Sequence, residues 1–326
     1  MIKKITISLA FIICFTGLVW CSSLDKQIKN IWDTPSVVTS IPPLYAHTTA
    51  ILWEKWTVTN LVNPWVSVHY REPTSNDIKA LEQADAIVFN WLHLEEFLDK
   101  KKYNAIDTSK NINLIAFWDS DKTAIQEEHE GEEHNENHEE DWHEDHEHGE
   151  YDPHVRLDPR ASIIQTQNIL QGLTSSPSYE YFANNAKTYI QKLEQLDTEI
   201  KEQLASIEKQ NFVVFHEAFW YYIARYWLQD QYKWAIKSFD GQEPSAQQIA
   251  TLISTLKSNN VKIIFTEPQF SPDILTIIAE EVDWLVVKQI DPLWKTLSPN
   301  WYIENMKDIT QQFISAFEQV YEDKNT

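Results

Sequence analysis

Between residues 36 and 321, short apolar runs alternate with longer stretches whose apolar positions return every three or four residues. The runs SVVTSI (36–41), TVTNLV (57–62), AIVFN (86–90) and residues 113–117 read as strands of a first half. FVVF (212–215), residues 233–236, VKIIFT (261–266) and residues 284–288 repeat the pattern in a second half. Helices are expected over 44–52, from Ser75 onward, and over 94–101, 218–226, 245–257, 273–281 and 302–321, with Ser75 and Ser245 as N-caps. The clearest helix covers 179–207. Phe182, Ala186, Tyr189, Leu193, Leu196, Ile200, Leu204 and Ile207 form one apolar stripe with no Pro or Gly in it. At 1.5 Å per residue it would run about 40 Å. Strands alternating with helices predict parallel sheets. The expected fold is therefore α/β: two lobes (36–178 and 209–326), each a mostly parallel sheet with flanking helices, joined by one long rigid helix (179–208).

The first twenty residues change the picture of where the chain works. Lys3 and Lys4 precede a short apolar run, residues 5–19, which suits a secretory signal and is too short to be a transmembrane helix. Cys14 lies inside that run, and Cys21 would be the first mature residue, so no disulfide forms within one mature chain. Leu18-Val19-Trp20-Cys21 resembles the bacterial lipobox L-x-G-C, with Trp in the glycine slot. That resemblance implies a lipid anchor on Cys21, a polar tether (21–35) and an extracytoplasmic protein, periplasmic or at the cell surface. Two or more acyl chains hold a protein on a membrane stably.

Charge is concentrated. Residues 127–150 hold 13 acidic side chains and six histidines, His129, His134, His138, His143, His146 and His148, with no Lys or Arg. The tract lies in a loop, 120–150, that is expected to stay disordered without metal. Carboxylates supply charge and imidazoles supply affinity, so it can collect cations weakly. The whole chain carries a net charge of −22, which excludes a duplex-binding surface and any nucleic-acid partner.

Glycine and tryptophan usage is abnormal. There are five glycines and 14 tryptophans, whereas average usage of about 7% would give about 23 glycines. Trp20, Trp65, Trp91, Trp220, Trp227 and Trp294 stand in turn-like contexts where chains use glycine for positive φ or close approach. The expectation is that many of these residues, Trp142 included, are UGA codons that the source organism reads as glycine. The alternative is a tryptophan-rich protein that stacks its ligand on indoles.

Three histidines stand apart from the acidic tract: His69 in VHYREP, His154 in DPHVRLDP and His216 in VFHEAF. Each follows a strand or lies in a Pro-bounded loop, and Asp291 in QIDPLW follows another strand. Ligands of open α/β sheets bind at the carboxyl ends of strands. Three imidazoles and one carboxylate suit a tetrahedral zinc ion.

The segments TNLVNPWVSVHYREPTSNDI, ADAIVFNWLHLEEFLDK, DPHVRLDP, FVVFHEAFWYYIARYWL, GQEPSAQQIA, FTEPQFSP and DPLWKTL resemble, in order, the metal-binding subunits of bacterial zinc and manganese ABC importers, the cluster A-I solute-binding proteins. Reading Trp as Gly improves the likeness at Trp65, Trp91, Trp220, Trp227 and Trp294. The resemblance implies metal ligands at His69, His154, His216 and Asp291, a Zn2+ cargo, an ABC permease as partner and no catalysis. Manganese members carry a carboxylate where this chain has His216, which favours zinc. In the family D-P-H is usually followed by a tryptophan or similar apolar residue; Val155-Arg156 is a mild departure from that. Glu72, Glu217 and Glu267 are expected to support the ligands, and His47 and His93 to be structural. Rival readings are a manganese or iron member of the same family, a zinc hydrolase, which would need an open coordination position and a general base, and an adhesin-like surface protein.

Overall fold

Among the described residues every pair of named strands is parallel, and the two sheets repeat one plan. The computed structural model describes residues 35–62, 72–92, 94–95, 98, 102–103, 105–116, 151–215, 217–235, 245–267, 271–293 and 296–325. The leader, Cys21, His69, His93, the tract 127–150, His216, Trp20, Trp65, Trp142 and Trp294 lie outside these residues. Strands β1 (Ser36–Thr39), β2 (Thr57–Asn60), β3 (Ala86–Phe89) and β4 (Ile106–Asp107) form a sheet in the order β2-β1-β3-β4. Strands β5 (Phe212–Val214), β6 (Tyr232–Ala235), β7 (Ile263–Thr266) and β8 (Val286–Gln289) form the second in the order β6-β5-β7-β8. The central strands are short continuous apolar runs because helices cover both of their faces.

Among the described residues, eight α-helices flank the sheets: α1 (Pro42–Leu52), α2 (Ser75–Gln83), α3 (Pro159–Gly172), α4 (Tyr179–Ala205), α5 (Trp220–Arg225), α6 (Ala246–Ser258), α7 (Pro272–Glu281) and α8 (Trp301–Asn325). None is long and apolar enough to cross a membrane. Ser245 caps α6 as expected, accepting from Gln248 N–H. Three expectations need correction. Thr74, not Ser75, caps α2, because Asp77 three residues on completes a reciprocal capping box with it. Leu94, Glu95 and Leu98 form turns rather than a helix, with Leu94 N–H bonded to Trp91 C=O and Leu98 N–H to Glu95 C=O. In place of a strand over 113–117 there is a single antiparallel bridge, Ala116 to Tyr151. The edge strand of the first sheet is the two-residue β4 instead.

Helix α4 feeds both cores. Phe182 and Ala186 pack with Val37, Leu44, Ile51 and Val88 under the first sheet. Tyr189, Leu193, Leu196, Ile200 and Leu204 pack with Phe212, Val214, Ile263 and Phe313 under the second. In the second core the Phe313 ring lies 4.2 Å from Phe265, 5.1 Å from Tyr222 and 5.5 Å from Phe212. Such ring pairs are each worth about 0.5–1.5 kcal/mol beyond their buried area. Arg225 on α5 donates through Nε to Asp197 on α4 at 2.8 Å and lies 3.6 Å from Asp158 before α3. The helix is thereby tied to both halves by charge as well as by packing. At the end of α3 glycine is kept for space: a Cβ on Gly172 would lie 2.5 Å from the Ile106 side chain.

His47 on α1 is fully buried, with Nδ1 3.0 Å from the Tyr189 hydroxyl and its ring 4.8 Å from that of Tyr302. Burial pushes its pKa down to about 3, while an unfolded histidine titrates near about 6.5. Below about pH 6.5 the unfolded chain therefore takes up a proton that the folded chain refuses. The contribution is intact above that pH and falls by about 1.4 kcal/mol per unit as pH drops toward 3. Urea unfolding at pH 7 and pH 5 should show a loss of about 2 kcal/mol from this residue, and a His47→Gln variant should lack that component. Equal losses in parent and variant would contradict it.

Candidate metal centre

The turn Asp152-Pro153-His154 is held from both halves of the molecule. Asp152 N–H donates to Ile115 C=O at 3.0 Å. The Tyr221 hydroxyl on α5 accepts from Ile115 N–H at 3.0 Å and donates to Asp152 C=O at 3.1 Å. From the first sheet, Asn90 just beyond β3 donates through Nδ2 to Pro153 C=O at 3.1 Å. Asn90 is itself fixed: Gln165 on α3 donates to its Oδ1 at 2.9 Å, and its N–H donates to Glu95 Oε1 at 2.7 Å. Ser40 beyond β1 donates to the same Glu95 oxygen. These buried polar groups bond to one another, so the turn has little freedom to shift.

Within the turn, Asp152 Oδ1 accepts from His154 N–H at 2.8 Å and lies 2.7 Å from His154 Nδ1. Both side chains are buried. A carboxylate at that distance places the ring proton on Nδ1, which makes Nε2 the lone-pair nitrogen, the form a metal-binding histidine takes. Asp291 follows β8, with Oδ1 accepting from Leu293 N–H at 2.8 Å and its C=O from Asn305 Nδ2 at 2.7 Å. This Asx turn sets the direction of the carboxylate. Glu267 follows β7 and is buried, whereas Glu72 is exposed.

Arg156 lies two residues beyond His154 and is 3% exposed. Its backbone C=O accepts from the Tyr302 hydroxyl at 2.8 Å. Among the described residues its Nε and Nη1 have no hydrogen-bond partner. Burial pulls the guanidinium down to about 10, against the fields of Glu267, Asp152 and Asp291, which raise it. It therefore remains a cation at neutral pH.

Of the four residues expected to hold metal, His154 and Asp291 are described, and His69 and His216 lie outside the described residues. Among the described residues, no three His, Cys, Asp or Glu side chains lie close enough together to hold an ion. Sequence reasoning missed Asn90, Glu95 and Tyr221 as supports of the turn. It noted Arg156 only as a departure from the motif.

Two parallel α/β sheets on one long helix, with a histidine turn bonded to both halves, are the plan of a two-lobed solute-binding protein. Residues 37–316 match the family described as zinc-uptake complex component A, periplasmic, and the chain belongs to that family. It is 32% identical to the high-affinity zinc uptake system protein ZnuA of Bacillus subtilis over 280 residues, covering 82% of each chain. It is 31% identical to the zinc-binding protein AdcA of Streptococcus pyogenes over 294 residues, 86% of this chain. There it spans only about half the relative's length, 54%. The crystal structure of the metal-dependent lipoprotein YcdH from Bacillus subtilis superposes with a TM-score of 0.66 at 26% identity, covering 87% of this chain and 99% of that one.

Proposed function

We propose that this protein captures Zn2+ outside the cytoplasmic membrane and delivers it to the permease of an ABC importer. The observation that carries this reading is the His154 ring, set by Asp152 in its metal-binding form on a turn anchored to both halves of the fold. Family membership and relatives named for zinc binding and zinc uptake support it. His69, His154, His216 and Asp291 would hold the ion, three nitrogens and one oxygen, a donor set that suits zinc. Members of this family are substrate-binding transport proteins, so no reaction is assigned to the site and the hydrolase reading falls. A lipid on Cys21 would hold the protein beside its permease, consistent with the lipoprotein among its structural neighbours.

The acidic, histidine-rich tract serves as an antechamber in this scheme, raising the local zinc concentration with weak sites. Zinc titration of the mature chain against a chelator should therefore show one tight ion and several weak ones. Removal of residues 127–150 should abolish most of the weak binding and leave the tight ion in place. Loss of the tight ion with the tract would overturn the assignment.

A further inference from the structure

Residues 152–158 precede the linking helix in sequence, yet they pack and bond into the second half of the fold. Val155 and Leu157, with Ala161 and Ile163 at the start of α3, are buried in the core of the second sheet beside Phe212, Val214 and Phe313. Ile112, Leu114 and Ile115 pack against the same core. The far end of α3 goes the other way: Ile169 and Leu173 lie under the first sheet with Val37 and Val88. Helix α3 therefore spans both cores, as α4 does. Helix α5 holds the segment by one face, because Tyr221 and Arg225 are four residues apart and leave the helix on the same side. The Tyr221 hydroxyl bonds to Ile115 N–H at 3.0 Å and to Asp152 C=O at 3.1 Å. Arg225 donates to both carboxylate oxygens of Asp197 on α4, and its Nε lies 3.6 Å from Asp158 Oδ1. A bidentate pair of this kind fixes the direction of the guanidinium as well as its charge. Between these two points the Tyr302 hydroxyl of α8 donates to Arg156 C=O at 2.8 Å. From the first sheet, Asn90 Nδ2 reaches Pro153 C=O at 3.1 Å.

We propose that residues 112–116 and 151–158, His154 included, move with the second lobe, and that the Tyr221 and Arg225 face of α5 is the coupling that carries them. The first lobe expected over 36–178 gives up these residues to its neighbour. When the lobes shift against each other, the bond from Asn90 is the one that yields. The inference goes beyond zinc capture and needs no ion bound.

Native-state hydrogen exchange of the mature protein, read by mass spectrometry without metal, tests it, since residues of one cooperative unit open together. Phe313→Leu, in the second core, should speed exchange over 151–158 and 212–214 together, by about tenfold. Val88→Ala, in the first core, should speed 86–89 and leave 151–158 unchanged. Tyr221→Phe and Arg225→Met should each release 112–116 and 151–158 by about tenfold while 212–214 stays protected. Asp158→Asn serves as a milder second variant: asparagine caps α3 as well as aspartate does, so only the charge facing Arg225 is lost. It should release 151–158 in part and add nothing to Arg225→Met in the double variant. Exchange over 151–158 that follows 86–89 in Val88→Ala would overturn the proposal. So would protection unchanged in the Tyr221, Arg225 and Asp158 variants, or an equal rise in every segment of both lobes. Zinc capture stands or falls separately, by titration.

Discussion

Replacing Trp53, Trp91 and Trp227 with glycine should stabilise the protein by about 3–6 kcal/mol in total, at about 1–2 kcal/mol for each non-glycine residue held in left-handed backbone. Among the described residues, six that are not glycine have positive φ, and three of them are these tryptophans, at 51°, 58° and 55°. Trp227 occupies the position after the α5 cap, where Leu228 N–H bonds back to Ile223 C=O at 3.0 Å. That closure demands a left-handed residue, usually glycine. Asn260 fills the equivalent place after α6, where Val261 N–H returns to Leu256 C=O, and asparagine tolerates it. Trp53 is more extreme, with ψ at −133°, a region that side chains avoid. The indoles of Trp53 and Trp227 gain little in return, at 52% and 65% exposed, whereas Trp91 packs edge-on against Phe89 at 5.1 Å, which offsets part of its strain and puts the sum toward the lower end of that range. The sites are separate, so their effects should add. Denaturant unfolding of the triple variant checks the energy, and the intact mass of the protein from its own source checks the cause. Tryptophan at these positions in the native protein, encoded by UGG, would refute the recoding. Trp220 was expected to share this signature and does not: it opens α5 without a positive φ and packs 5.6 Å from Tyr232.

The second large effect is expected at His154. His154→Ala should cost the tight site more than the about 10–100-fold that loss of an orienting partner costs, and Asp152→Asn should fall within that range. Asp152 fixes both the backbone and the ring of His154. An amide there would still accept from the backbone N–H but would hold the Nδ1 proton more weakly. Circular dichroism should show both variants folded. Equal affinity in Asp152→Asn and parent would mean that the pair is a structural contact only.

Much of this architecture was legible because parallel strands buried on both faces are written as short apolar runs, and α4 as an unbroken stripe. Helix α3 was not foreseen. Its core contacts include Ser162, Gln165, Thr166 and Asn168, all buried, so its inner face is too polar to stand out as an apolar stripe. The signal available was Asp158-Pro159, an N-cap followed by proline at the first helical turn. Strand β4 is two residues long and leaves no period to read. The candidate site divides in the same way. His154 could be found from its local motif, since Asp152 acts on it across two residues. Asn90 reaches Pro153 across 63 residues and Ile115 reaches Tyr221 across 106. Contacts that distant are made by the fold and leave no mark on neighbouring sequence. Arg156 was visible as a charge between Val155 and Leu157, but its burial was not.

The most direct test of the central claim is competitive zinc titration of the mature protein beside variants in which His69, His154 and His216 are changed to alanine singly and together. Capture of one ion by these side chains predicts that each single change weakens the tight site and that the triple change eliminates it, with the weak binding of residues 127–150 unaffected. Survival of tight zinc binding in the triple variant would contradict the account.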